Sequence, residues 1–430
     1  MEKLISTLGL LLLVAGCAAP EKRHSPAELQ AYRTQDFRWP AAAHAAESIM
    51  LAQERARLPA RLADPAQLPT AMSAIMLFNI EAEAGRAPLL AALPELAAQP
   101  PEHQRALLTA AHTLYAKEAA PLLWPLLPQL AEPREFAIAA YTILKADAAA
   151  VPLLREALRE RQDCCEDPRL QALQGALSPI PVNAKPELAE LLAAPLKRGL
   201  PVVFSLQRPG RERMGLALVR GADGRFQRGT DGQVLQIAQL ALARSALPGT
   251  ITFGNTPSGL YTVRGAGTAS NPWIGPTPYL QSMLPMEASV AEFLHEPERG
   301  RAWSEAVYNA LIPLAWRPAL REAWLAGQAG RSEILMHGST INPAYYAGEP
   351  YFPGTPSAGC LVTAERWSDI DGRLLASDQL RLAQAFSAGG SDQGYLVVVE
   401  LAGDGAVQLD DSLKAAISAA ERIQHSLRTQ

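Results

Sequence analysis

Two residues give this 430-residue sequence its chemical potential, Cys360 and His337. Cys360 ends the segment Ser357-Ala358-Gly359-Cys360, ahead of the apolar run Leu361-Val362-Thr363. His337 closes the run Glu333-Ile334-Leu335-Met336, directly before Gly338. A thiol with a pKa of about 8.5 is only a few per cent thiolate at neutral pH, so acyl chemistry at Cys360 needs a neighbouring base. Between residues 190 and 402 the histidines are His295 and His337, so a Cys-His pair has two possible assignments. His295, in Phe293-Leu294-His295-Glu296-Pro297, reads as a solvated helix end. His337, at the end of an apolar strand and beside a permissive glycine, is the stronger candidate. Gly359 allows close backbone approach, and the amides of Gly359 and Cys360 are candidates to face the oxyanion of a tetrahedral intermediate. Ser357, Tyr345, Tyr346 and Tyr351 are candidates for lining a substrate groove; for the tyrosines, loop packing is the competing reading.

These residues need rigid elements to hold them. Residues 201-207, 215-221, 259-265, 333-338 and 394-401 are short, β-branched and mostly bounded by glycine, which predicts strands. Residues 268-330 carry helical stretches with Trp303, Trp316 and Trp324 and read as a helical insertion, either a lid over the site or a helical pack against the sheet. Residues 26-177 read as helical, dense in Ala and Leu. Within them Pro88, Pro121 and Pro152 each open an apolar stripe, at a period near 30, and each follows a second amphipathic segment. Proline in a first helical turn predicts a helix start, so each unit is expected to be a helix pair. Such units stack into a solenoid, and the segment resembles short HEAT-like repeats. Three prolines in 178-186 predict a linker over 178-196, and Asp410 and Asp411 predict the N-cap of a terminal amphipathic helix over 408-430. The fold class expected is multidomain α+β, with all-α repeats followed by a mainly β domain.

Composition narrows the function. With 48% hydrophobic and 19% charged residues the chain is globular, and a net charge of −4 offers no general cationic surface, so nucleic acid is not an expected partner. No spacing suits a metal site or a nucleotide loop, so no metal or cofactor is expected. Met1 to Cys17 has one lysine, an apolar run too short to cross a bilayer, and a Val14-Ala15-Gly16-Cys17 ending. That ending resembles a bacterial lipobox, which implies lipidation at Cys17, export, and membrane attachment through acyl chains. Among the remaining cysteines, adjacent Cys164 and Cys165 are either a strained disulfide or two thiols at a helix end, and Cys360 is the one left over for chemistry.

The segments Asn255-Thr256-Pro257-Ser258-Gly259-Leu260-Tyr261, His337-Gly338 and Ser357-Ala358-Gly359-Cys360, in this order, resemble the catalytic domain of L,D-transpeptidases over about residues 197-402. The resemblance implies Cys360 as nucleophile and His337 as base. It also implies an oxyanion hole at Gly359 and Cys360, and a backbone carbonyl of Gly338 or Ser339 that fixes the imidazole. Peptidoglycan stem peptides would be the substrate and the cell envelope the location, with the lipoprotein periplasmic and anchored in the outer membrane. The helical repeats would face an envelope protein partner. Ala358 and Val362 stand where many members carry histidine and arginine, which leaves the donor and acceptor open. A cysteine hydrolase of the same fold and a non-catalytic scaffold that binds wall peptide are the alternatives.

Overall fold

The computed structural model describes residues 22–429 apart from 41, 165, 179–185 and 298–299. Cys17 with its signal segment, Cys165 and the first part of the expected linker lie outside the described residues. The architecture is mixed α+β: a helical region in the N-terminal half, and a separate mainly β region built on a closed eight-stranded barrel.

Strand β1 (Lys22–His24) precedes the helices. The later strands are β2 (Val202–Gln207), β3 (Gly215–Arg220), β4 (Ile237–Leu240), β5 (Gly259–Thr268), β6 (Tyr279–Met283), β7 (Leu335–His337), β8 (Leu361–Thr363), β9 (Glu365–Trp367), β10 (Leu374–Ser377) and β11 (Gly394–Glu400). The ring runs β5-β11-β2-β3-β4-β8-β7-β6 and closes by pairing β6 with β5. Pairings β11–β2 and β7–β8 are parallel and the other ring pairings antiparallel.

Alternation along a strand sends successive side chains to opposite faces. Val203, Ala217, Ile237, Tyr261, Leu280, Met336, Leu361 and Leu396, one from each ring strand, form a single cluster, which is the barrel interior. Leu382 and Phe386 of helix Asp378–Ser387 join it. Residues of the other parity, such as Phe204, Leu218 and Val397, pack outward against Leu192, Trp316, Trp324 and Ile417 of the surrounding helices. Burial on both faces explains why β2 and β3 read as continuous apolar runs rather than as alternating ones.

In the helical region, α1 (Pro26–Ala31) is followed by α2 (Ala42–Leu62), α3 (Leu68–Phe78), α4 (Ala82–Ala92), α5 (Pro101–Leu114), α6 (Ala116–Leu123), α7 (Pro133–Ala146), α8 (Val151–Arg159) and α9 (Pro168–Leu177). Their shared core is chiefly Leu and Ala. Pro152 stands in the first turn of α8, whereas Pro88 and Pro121 lie inside α4 and α6, which begin earlier, at Ala82 and Ala116.

Several expected boundaries shift. β1 pairs with β5, and Leu29 and Phe37 pack in clusters of the β region, so residues 22–39 belong with the barrel rather than with the helices that follow. The C-terminal part of the expected linker folds as a helix, Leu188–Leu192, whose Leu191 and Leu192 are buried. The expected helical insertion contains β6, a ring strand. Trp303, Trp316 and Trp324 pack in the core, with Trp303 and Trp324 ring centroids 6.0 Å apart and Trp316 donating from Nε1 to the Glu187 carbonyl, so these three form no lid, whereas Trp273 lines the Cys360 cleft. The terminal helix runs Asp411–Thr429, with Asp410 Oδ1 accepting from the Leu413 amide at 2.8 Å.

The two regions share a segment. Leu247 and Ile251, from the loop between β4 and β5, are buried in the helical core, and Thr113 Oγ1 of α5 donates to the Ser245 carbonyl at 2.8 Å. Arg169 of α9 donates to the Ala329 carbonyl at 2.8 Å. Burying a Leu or Ile is worth about 1.5–3 kcal/mol each, so this loop acts as a pin through the junction.

Candidate active site

Strand parity positions the two reactive side chains. Met336 and Leu361 pair across parallel strands β7 and β8, and both face the barrel interior. Their chain neighbours, His337 and Cys360, must therefore project from the outer face, where they are diagonal neighbours, His337 standing opposite Val362. There the Leu335 amide donates to Cys360 Sγ at 3.4 Å, and the thiol reaches the Glu333 carbonyl at 3.7 Å. Cys360 is partly exposed, in a cleft of about 280 Å³ that His337, Ser339, Ser357, Gly359 and Arg331 also line.

His337 is buried, and its backbone is clamped on two sides. Thr363 Oγ1 donates to the His337 carbonyl at 3.2 Å, and Gln379 Nε2 to the Met336 carbonyl at 3.0 Å. Nδ1 donates to the Gly338 carbonyl at 2.5 Å, which fixes the tautomer and leaves Nε2 for the thiol. The Ser339 carbonyl instead accepts from Trp367 Nε1 at 3.2 Å. Burial lowers the imidazole pKa, but the hydrogen bond and charge of Cys360, the Gly338 carbonyl and the Glu365 carboxyl together hold it above its ordinary value. A histidine so placed readily keeps a proton taken from the thiol.

The turn carrying Cys360 is held by Ser357. Its Oγ donates to the Cys360 carbonyl at 2.8 Å and accepts the Gly359 amide at 3.0 Å. The Gly359 N–H is therefore committed within the turn, which corrects the expectation that it faces an oxyanion. Gly359 has φ +117°, and a Cβ there would collide with Arg331 Nη2 and the Gly254 carbonyl. Only glycine fits. Thr256 Oγ1 donates to the Gly359 carbonyl at 2.9 Å, so the Thr-Pro segment buttresses this turn from the start of β5.

Other expected residues fall elsewhere. Tyr346 and Tyr351, their rings 6.0 Å apart, line a neighbouring cavity with Met76, Lys145 and Glu212 that shares Arg244 and Pro356 with the Cys360 cleft. Tyr345 is tied to the helical region, its carbonyl accepting from Asn79 Nδ2 at 3.2 Å. The loop that carries them is drawn to the helices, away from Cys360. His295 is not a solvated helix end: it caps helix Val290–Leu294, its Nε2 lies 3.0 Å from Thr262 Oγ1 and from the Gly394 carbonyl, and burial lowers its pKa. Cys164 is partly buried and packs against the helical core.

Sequence reasoning missed three groups. Arg331, fully enclosed behind Gly359, donates from Nη1 to the carbonyls of Gly249 and Asn255 at 2.5 and 2.8 Å. Its charge lies within reach of Cys360, which raises the guanidinium pKa against the larger lowering by burial. Glu365 packs against Gly338, accepts from Ser377 Oγ at 2.7 Å, and is pushed up to about 7, chiefly by burial. Glu333 presents its carbonyl to the thiol, and burial, then Cys360, raise its carboxyl pKa. The signal available was an arginine and two glutamates within six residues of His337 or Cys360. Among the described residues no cluster of His, Cys, Asp and Glu could hold a metal.

Compared with models of protein families, with curated proteins and with solved structures, the chain matches none.

Proposed function

We propose that this chain is a cysteine acyltransferase of the L,D-transpeptidase type that acts on peptidoglycan stem peptides. The observation that carries the reading is the pairing of Cys360 with a buried His337 whose Nδ1 is fixed by the Gly338 carbonyl. In this scheme Sγ attacks the carbonyl of the diamino acid residue as His337 Nε2 takes the thiol proton. The tetrahedral intermediate expels the terminal D-alanine, whose amine receives that proton, and leaves a thioester on Cys360. An amine then attacks the thioester, His337 accepts its proton, and the thiol is restored with a new amide formed. Arg331 supplies a fixed positive charge behind the turn throughout.

Hydrolysis is the second reading, favoured by the exposure of Cys360 and by the packing of Trp303, Trp316 and Trp324 in the core, so that water can reach the thioester. On the same proposal the helices are HEAT-like repeats, Cys17 is lipidated, and the protein is a periplasmic lipoprotein. Among the described residues no helix is long and apolar enough to cross a membrane.

Intact-mass analysis of the chain incubated with a carbapenem or a stem tetrapeptide tests the chemistry. The expected result is an adduct that needs Cys360 and forms more slowly in His337→Ala. A chain that binds the peptide and stays unmodified would replace catalysis with a scaffold role. Product analysis with and without an amine acceptor separates transfer from hydrolysis.

A further inference from the structure

The cleft at Cys360 does not end at the barrel. It continues into a second chamber of about 500 Å³ whose far wall is the helical region: Met76 of α3, Arg105 of α5, and Arg134 and Ile138 of α7. Arg244, Phe253, Ser357 and Ala358 line both chambers, so the nucleophile turn stands at their junction. The loop that carries Arg244 and Phe253 is the same one pinned into the helical core by Leu247 and Ile251, and the wall is therefore held in place.

The charge in this second chamber is one-sided. Among the described residues, Arg134 and Arg244 make no side-chain hydrogen bond or ion pair, and the Nε of each is buried without a partner. Arg105 reaches Glu135 at 3.7 Å. Burial first, then the guanidiniums of Arg169 and Arg105, lower the pKa of Arg134. Glu135 and Asp167 offset part of that lowering. Half-buried guanidiniums with idle donors that line one chamber are what a carboxylate satisfies, through paired N–H donors in a planar fork. Beside them Met76, Ile138 and the half-exposed ring of Phe253 offer an apolar floor for a peptide backbone and its aliphatic side chains.

We infer that the face formed by α3, α5 and α7 is the second wall of the substrate cleft, where Arg134 and Arg244 bind a free carboxylate of a peptide whose reacting group lies at Cys360. The inference rests on the acyl-transfer reading of that site and adds a role for the helical region in it. The carboxylate belongs either to the acyl donor or to the acceptor, since both are carboxylate-bearing peptides.

Binding is measured first on the full chain in detergent with Cys360→Ala, using a synthetic stem tetrapeptide with free carboxylates and the same peptide fully amidated. The free form should bind roughly tenfold tighter or more, as hydrogen bonds to a charged group imply. The preference should shrink with added salt and fall below about twofold when R134Q and R244Q are added. A preference that is absent, insensitive to salt, or retained in the arginine variant overturns the inference. Alkylation of Cys360 by neutral iodoacetamide at the unaltered rate in R134Q/R244Q shows that the site remains folded. With Cys360 present, slower acylation by the tetrapeptide in R134Q/R244Q places the donor in this chamber; unchanged acylation with slower transfer to an acceptor peptide places the acceptor there. Because binding is read without Cys360, a failure of acylation removes the enzymatic reading and leaves the carboxylate site to be judged on its own result.

Discussion

In the helical region the buried side chains are chiefly Leu and Ala, with His112, Thr142 and Glu135 among the polar exceptions. In the β region Gln207, Ser282, Arg331, His337, Ser357, Thr363 and Gln379 are all buried and hydrogen-bonded through their side chains. The two regions therefore keep their shape by different physics. An apolar core tolerates changes of side chain so long as volume is kept, and its errors are paid in stability. A core of directional hydrogen bonds fixes atoms to a fraction of an ångström, which is what a nucleophile and its base require. Even the buried His112 follows this division: burial, then Lys145, push its pKa down to about 3, so it stays neutral and packs as an amide-like filler against Thr142.

If that division holds, substitutions at the site should cost chemistry and those in the helical core should cost stability. The largest effect is expected from Cys360→Ala, which should abolish the covalent adduct in intact-mass analysis while leaving the melting temperature near that of the parent. Leu247→Ala and Ile251→Ala remove buried volume at the junction and should each lower unfolding free energy by about 2–5 kcal/mol in denaturant titration. A smaller cost at both positions would mean that the barrel and helices are not pinned through this loop. Gly359→Ala forces the turn away from Arg331 and should slow acylation by roughly 10²-fold, since small displacements of a reacting group have effects of that size.

Glu365→Gln sharpens the comparison through pH. Its carboxyl is raised from 4.5 to about 7, so between those values the folded chain holds a proton that the unfolded chain has lost. Stability is then greatest below about pH 4.5 and falls as pH rises to 7, by on the order of 3 kcal/mol, and the glutamine variant should lose this slope in melts across that range. The same variant removes a negative charge that favours protonated His337, so the acid limb of the acylation rate should move to lower pH. The smallest effect is expected from Arg321→Ala, which breaks an ion pair of 2.6 Å with Glu305 and a contact with Gln171 across the junction. Both partners are partly exposed, and the loss should stay under about 1 kcal/mol in denaturant titration.

The reactive pair was legible because it rests on local rules. An apolar run ending in His337-Gly338 and one beginning after Gly359-Cys360 predict strands, and parity then fixes the faces. What resisted reading depends on contacts distant in sequence. The tyrosines at 345, 346 and 351 sit in a loop whose destination is set by Asn79 and Met76, and nothing near them in sequence announces this. Ser357 lines the cleft as expected, but its role in the turn was not legible: its hydroxyl bonds the Cys360 carbonyl and the Gly359 amide. Strand β6 was hidden in a Trp-rich stretch whose helices dominate the pattern. Segment 22–39 read as the first helix of a helical array because its own short helix is real, while its docking site on the barrel lies far along the chain.

That docking bears on how the chain is assembled. Lys22 faces Thr268, and Tyr395 faces both Val202 and Thr262, so the ring is completed only by the last of its strands in chain order. The helices between β1 and β2 meet mostly their neighbours in sequence, which favours early folding, whereas the barrel depends on contacts of very high sequence separation. A nascent chain that has not yet delivered residues 394–400 exposes the edges of β5 and of β2, the latter rich in Val and Leu, and is open to pairing with other chains. The last strand to emerge is thus the one that protects all the others.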